Sequence, residues 1–175
     1  MAAVKHRFID HSINPLTEIL VIGTFNPDTK DNKADFFYGR SRNHLWTLLP
    51  KAFGHPSLKG KEKTEKLNFI KDHKIDFIDL IAKVEAEEES NYDDRYIDNK
   101  VTEWGNVKAE LDKLKNLRKV CLTRKTLADI PNMRIKVNEL AEYCDQRNIS
   151  FQLLTTPARF YRNDKQEEWS EFFSK

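Results

Sequence analysis

Several things are scarce in this chain of 175 residues. It has two cysteines, Cys121 and Cys144, and no zinc-type spacing. With no export signal, both thiols are read as reduced. There are five glycines, too few and too scattered for a Gly-rich loop that cradles phosphate. No apolar run approaches the ~20 residues that span a bilayer. The opening "MAAVKHRFID" lacks the apolar core of a signal peptide, so a cytoplasmic protein is expected. The net charge of +2 is too small to argue for nucleic acid by itself, so that case must rest on local clustering. Repeats and low-complexity linkers are also missing, which leaves a single domain over residues 1–175 as the expectation. What remains is 39% apolar and 33% charged, the balance of a globular protein with a heavily charged surface.

Short apolar runs alternate with amphipathic stretches. "EILVIGTF" (18–25) is β-branched and closed by Gly23, which suits a buried parallel strand. "IDFIDLI" (75–81), "RKVCLT" (118–123) and "ISFQLLTT" (149–156) are read as three more strands. Helices are expected over 44–53, where Pro50 must bend or end the helix, and over 59–74, 101–114, 133–148 and 165–175. In the fourth of these Ile135, Val137, Leu140, Ala141 and Cys144 form the apolar side. Residues 84–94, "VEAEEESNYDD", read as an acidic loop. Four strand-helix alternations predict an α/β fold with three α/β/α layers around a central four-stranded parallel sheet.

Ligands of such sheets bind beyond the carboxyl ends of the strands. Two loops there are unusual. The first is "GTFNPDTKDNKADFFYGRSRNHLW" (23–46), which sets Phe36, Phe37 and Tyr38 beside Arg40 and Arg42. The second is "PARFYRND" (157–164), where Arg159 and Arg162 flank Phe160 and Tyr161. Aromatic faces stack on nucleobases at about 1–3 kcal/mol per base, and arginine forks hold phosphate oxygens. On one edge of a parallel sheet the two loops would form one groove. The plainer reading packs Phe36 and Phe37 in the core and leaves the arginines solvated.

"ILVIGTFNP…FFYGRSRNHLW" resembles the first motif region of the uracil-DNA glycosylase superfamily, nearest its mismatch-specific (thymine/uracil) and hypoxanthine branches. "TTPAR" (155–159) resembles the second motif, and "IDFIDLIAKVEAEEESNYDD" an intervening segment that contributes Asp79, Ser90 and Asp94. The resemblance runs from about residue 7 to about residue 160. It implies a monofunctional enzyme, with no metal or cofactor, that removes uracil or hypoxanthine from damaged or mismatched duplex DNA; the modest net charge suggests a monomer. The base would be flipped into the site and stacked on Tyr38, with Phe37, Thr24 and Phe25 lining the same pocket. Asn43 is the first candidate to hold the attacking water and Asn26 the second. Thr155, Thr156, Pro157, Arg159 and Phe160 would hold the DNA and fill the gap, with Arg40 and Arg42 on the opposite lip. Tyr38 and Asn43 should then line one cleft with Thr156 and Arg159.

The chain departs from the family pattern at informative places. Phe25 stands where the mismatch branch has its catalytic asparagine, and Phe25 cannot position water. Asn26-Pro27 lies one residue later. Arg159 replaces an asparagine, and Thr123-Arg124 an Asn-Gly pair. Each candidate also has an ordinary structural reading. Asn43 suits a helix N-cap, Asn26 before Pro27 a turn, His44 a helix start, and Asp79 either a strand terminus or a water-positioning acid. The acidic run Glu85–Glu89 should face away from any DNA. The competing classes are an inactive nucleic-acid or nucleotide-binding module on the same fold, and an unrelated small α/β enzyme acting on nucleotides.

Overall fold

The computed structural model describes residues 1–87 and 92–174. Its centre is a four-stranded, all-parallel sheet. The strands are β2 (Ile19–Gly23), β3 (Ile75–Asp79), β6 (Lys119–Leu122) and β7 (Ser150–Leu153), in the order β3-β2-β6-β7. The register pairs Ile19 with both Ile75 and Lys119, and Lys119 with Ser150, so the four strands start and end almost level.

Side chains alternate across this sheet. Leu20, Ile22, Val120 and Leu122 face one core, while Ile19, Val21, Phe77 and Cys121 face the other. Helices α4 (Val107–Lys113) and α5 (Pro131–Gln146) cover the first face. Helices α1 (Leu45–Ala52), α2 (Lys63–His73) and α6 (Asn163–Ser174) cover the second. The result is the expected α/β/α layering. In α5 the buried stripe is Met133, Val137, Leu140 and Cys144, spaced by four, three and four residues. Ile135 falls off that stripe and is exposed. Both cysteines are free and buried, and burial raises the pKa of each thiol, that of Cys144 to about 11.

Pro50 lies inside α1 without breaking it. Having no N–H, it leaves the Trp46 carbonyl without its helical donor. The Leu58 N–H fills that place at 2.8 Å, so the chain after the helix completes it.

A second, three-stranded antiparallel sheet was not foreseen. It comprises β1 (Ala2–Lys5), β4 (Ile81–Ala86) and β5 (Val101–Trp104), in the order β1-β4-β5. It corrects three expectations. Residues 75–81 are not one strand, because the chain changes sheets at Leu80. There the Leu80 N–H donates to the Gly23 carbonyl and its own carbonyl accepts from the Gly105 N–H. Residues 84–86 are not loop, since Val84 and Ala86 are buried and Glu85 is exposed, as in a half-buried strand. Residues 101–114 are not one helix, because Val101–Trp104 pairs with β4 and the helix starts only after Gly105-Asn106.

The segment after the acidic run returns as a short helix, α3 (Asp94–Ile97). Asp98, just beyond it, accepts from the backbone N–H groups of Asn132 and Met133 at 3.0 and 2.8 Å. A carboxylate thus satisfies the orphan donors at the start of α5. Ser90, Glu88 and Glu89 lie outside the described residues.

Leu20, on the first face of β2, is fully buried, as is Ile22 beside it on that face. Leu20→Ala is expected to lower the unfolding free energy by about 2–5 kcal/mol. Ile135→Ala, at an exposed position, should stay within about 0.5 kcal/mol of wild type. Urea unfolding midpoints measure both.

Candidate functional site

The level carboxyl edge of the parallel sheet sets the site. Asp79, Gly23, Thr123 and Thr155 stand at or just past the ends of β3, β2, β6 and β7, a span of about 14 Å at ordinary strand spacing. Above this edge lies a cleft of about 740 Å3, lined by residues of the loops that follow all four strands. Tyr38, Asn43, Thr156 and Arg159 all line it, as do Thr24, Phe25, Asn26, Phe37, Arg40, Thr155 and Pro157. Arg42 and Phe160 do not line it. Phe160 instead projects from the lip at 70% exposure.

The two loops are joined by backbone. Asn43 and Ala158 form an isolated antiparallel bridge, with His44 N–H to the Pro157 carbonyl at 2.8 Å and Arg159 N–H to the Arg42 carbonyl at 2.9 Å. Arg42 therefore works through its main chain. On the far side α6 holds the second loop. The Glu168 carboxylate accepts from the Thr155 N–H and hydroxyl, each at 2.7 Å, and Trp169 Nε1 donates to the Thr155 carbonyl. Lys165 Nζ donates to the carbonyls of Phe160 and Ala158 at 2.7 and 3.4 Å. Burial, then the neighbouring Arg162, lowers the Lys165 pKa.

Tyr38 and Arg159 both have positive φ, 58° and 74°, a costly conformation for residues with a Cβ. Both lie at the cleft. The Tyr38 hydroxyl meets Thr123 Oγ1 at 3.1 Å and passes over Gly23, where a Cβ would come within 2.6 Å of it. The Asp79 carboxylate crowds the same point. Gly23 is thus required by close approach. Burial, then the charge of Asp79, holds the Tyr38 phenol well above its ordinary pKa.

Phe36 and Phe37 are core residues, at 1% and 3% exposure. The Phe37 ring stacks on Phe77 at 5.8 Å and meets Phe8 and His6, so it backs the cleft and is no stacking platform. Phe25 is half-buried against His6 and Tyr92. Both asparagines have committed oxygens. Asn43 Oδ1 accepts from the Leu45 N–H at 3.0 Å, a local turn bond just before α1, whose N-cap is His44 and not Asn43. Asn26 Oδ1 accepts from Asn32 Nδ2, which also donates to the Pro27 carbonyl. His44 is drawn out of the cleft, between Lys59 Nζ and the Arg159 carbonyl.

Three features were not foreseen in detail. Arg124 bridges Asp94 and Asp129 at 3.0 and 2.7 Å, so its charge is taken up within the protein. Asp94 also accepts from the Thr24 hydroxyl at 2.7 Å. Burial raises the Asp94 pKa against the pull of Thr24 and Arg124. Finally, His6, 73 positions away in sequence, binds Asp79. The charge at the cleft is mixed, with Asp79, Asp93, Asp94 and Asp129 among Arg40, Arg95, Arg124, Lys125 and Arg159. Glu85 and Glu87 are not among its lining residues.

No family model matches the sequence, and no curated protein matches it either. Among solved structures the chain is similar to a solution NMR structure from Methanosarcina acetivorans described as a "putative Uracil DNA glycosylase". Identity is 20%, over 92% of this chain and 91% of that one, with a TM-score of 0.66. At that identity the likeness establishes a shared fold.

Two measurements probe the site. In spectrophotometric alkaline titration one of the five tyrosines, absent in Tyr38→Phe, should stay protonated beyond about pH 10. Because the folded pKa is the higher one, its stabilisation is complete below the unfolded pKa and is lost as pH rises toward the folded value. Lys165→Met should loosen the second loop, seen as faster amide exchange at Arg159 while β2 amides keep their protection.

Proposed function

We propose that the protein is a monofunctional DNA glycosylase of the uracil-DNA glycosylase superfamily that hydrolyses the N-glycosidic bond of a flipped-out deaminated base, uracil or hypoxanthine. The observation that carries the reading is the meeting of Tyr38, Asn26, Asn43, Thr156 and Arg159 in one cleft, from loops more than a hundred residues apart. The fold shared with the Methanosarcina protein supports it.

In this reading the extruded base stacks on Tyr38 near Thr24 and Phe25. A carboxamide oxygen has two lone pairs, so Asn43 can keep its bond to the Leu45 N–H and still orient a water toward the sugar. Asn26 is the second candidate for that work. Positive charge grows on the sugar as the bond breaks, and the cleft's backbone and side-chain donors take up charge on the departing base. Arg40 and Arg159 face the DNA backbone. Phe160 fills the gap left in the stack, as apolar wedges do in deformed DNA. The asparagine of the "RSRN" stretch sets the site nearer the hypoxanthine branch than the mismatch branch. The protein acts as a single-domain monomer on duplex DNA.

One observation favours a second reading, a nucleic-acid-binding module without catalysis. Both asparagine oxygens already have donors. Duplexes with one uracil, hypoxanthine or mispaired thymine, followed by cleavage at abasic sites, separate the two. Wild type should form abasic sites on at least one duplex, and Asn43→Ala should slow this by about a hundredfold or more. Phe160→Ala should weaken duplex binding and leave the fold unchanged. Retention of DNA with no base release would favour the binding module.

A further inference from the structure

An amide can orient water, but it cannot take a proton from it near neutral pH. A hydrolase that relies on asparagine alone would therefore release its proton unaided. The cleft contains one carboxylate suited to receive it, and it is held by a residue outside both loops.

Asp79 ends β3, side by side with Gly23. Its side chain is 7% exposed, yet it lines the cleft. His6 Nε2 sits 2.5 Å from Asp79 Oδ2, and the His6 side chain is 5% exposed. The tautomer of His6 follows from its other nitrogen. Nδ1 accepts the Phe8 N–H at 3.0 Å, so the ring proton is on Nε2 and is donated to Asp79. The ring is wedged among Phe8, Phe25 and Phe37. The backbone fixes it as well, through the His6 N–H to the Ala82 carbonyl at 2.8 Å and a bridge between His6 and Pro27. His6 thus holds Asp79 in one rotamer through Oδ2. Oδ1 accepts no hydrogen bond from the described residues. It lies over Gly23, toward the Tyr38 hydroxyl.

The other cleft carboxylates are differently placed. Both oxygens of Asp94 are taken, by Thr24 and Arg124. Asp93 caps α3, accepting from the Arg95 N–H at 3.0 Å, and Asp129 is spent on Arg124 and Arg95. A carboxylate that is buried, rigid and free on one oxygen is the arrangement a general base needs.

Resting on the glycosylase reading, we propose that Asp79 is the general base of the reaction and that His6 is its positioning residue. Water, oriented by Asn26 on the loop bridged to His6 or by Asn43 across the cleft, attacks C1′ of the sugar. As the C–O bond forms, the C1′–N bond to the base breaks and its electron pair leaves with the base. The water's proton passes to Asp79 Oδ1, and the carboxyl returns it to solvent or to the released base. The sum is one water consumed, one abasic sugar and one free base.

Single-turnover base release and duplex binding are measured side by side. Asp79→Asn keeps an acceptor for His6 and loses the base, so release should fall about a hundredfold or more with duplex affinity within about threefold. Asp79→Ala leaves a space beside Gly23, and added formate should restore part of its rate but not that of Asn43→Ala. His6→Gln keeps a donor and should retain more of the rate than His6→Leu, at equal affinity and whether or not the Asp79 variants fold. Release by Asp79→Asn within about threefold of an active wild type overturns the inference while sparing the glycosylase reading. So does an Asp79→Ala rate that formate leaves unmoved, or equal losses in the two His6 variants. A wild type that releases no base from any of the duplexes overturns both.

Discussion

Two backbone hydrogen bonds, between His44 and Pro157 and between Arg159 and Arg42, close a ring over strand ends that would otherwise carry unrelated loops. Everything at the cleft depends on that closure. It places the aromatic-rich first loop against the short second loop, and the volume between them becomes a site. The closure is backed from two directions. Residues of α6 grip the second loop through Thr155, Ala158 and Phe160. The first loop is fixed from the N-terminus, where the Arg7 N–H and Nε donate to the carbonyls of Asn26 and Ala34. The positive φ values of Tyr38 and Arg159 fit this picture, since strained backbone persists only where its surroundings hold it.

Rigidity on this scale suits the proposed chemistry. Flipping a nucleotide costs a few kcal/mol, and the site that receives it must not need remaking at the same time. The described cleft already brings Tyr38, Asn26, Asn43, Arg40 and Arg159 together. Its mixed charge is also informative. Arg124 is neutralised by Asp94 and Asp129 at the inner end. Arg40 and Arg159 remain exposed nearer the lip, where a phosphate backbone would run. In the proposed function such a division would keep cationic contact for the strand and leave the interior for a neutral base.

The parallel sheet could be read from the sequence because its strands are local signals. "ILVIG" is apolar at every position, and a strand buried on both faces needs nothing else. The helices over residues 44–53, 133–148 and 165–175 were legible for the same reason, through the spacing of their apolar residues. The antiparallel sheet was not. "AAVK" is too short to signal a strand, and "VEAEEE" hides two buried positions among acids. Trp104 invites a helical reading until its strand neighbours are known. These segments are strands because β4 lies between two partners, and that pairing is long-range.

The candidate site divides along the same line. The sequence set Tyr38, Asn43, Thr156 and Arg159 as candidates through the resemblance of their two loops to the motifs of the uracil-DNA glycosylase superfamily. Local propensity likewise determined the α/β class and the edge of the sheet where a ligand would bind. Tertiary structure decided the rest. It sent Phe37 into the core, paired Arg124 with Asp94 and brought His6 to Asp79. The reason is physical. Whether a side chain is free or engaged depends on atoms delivered by chain segments tens of residues away, and no local pattern encodes that distance.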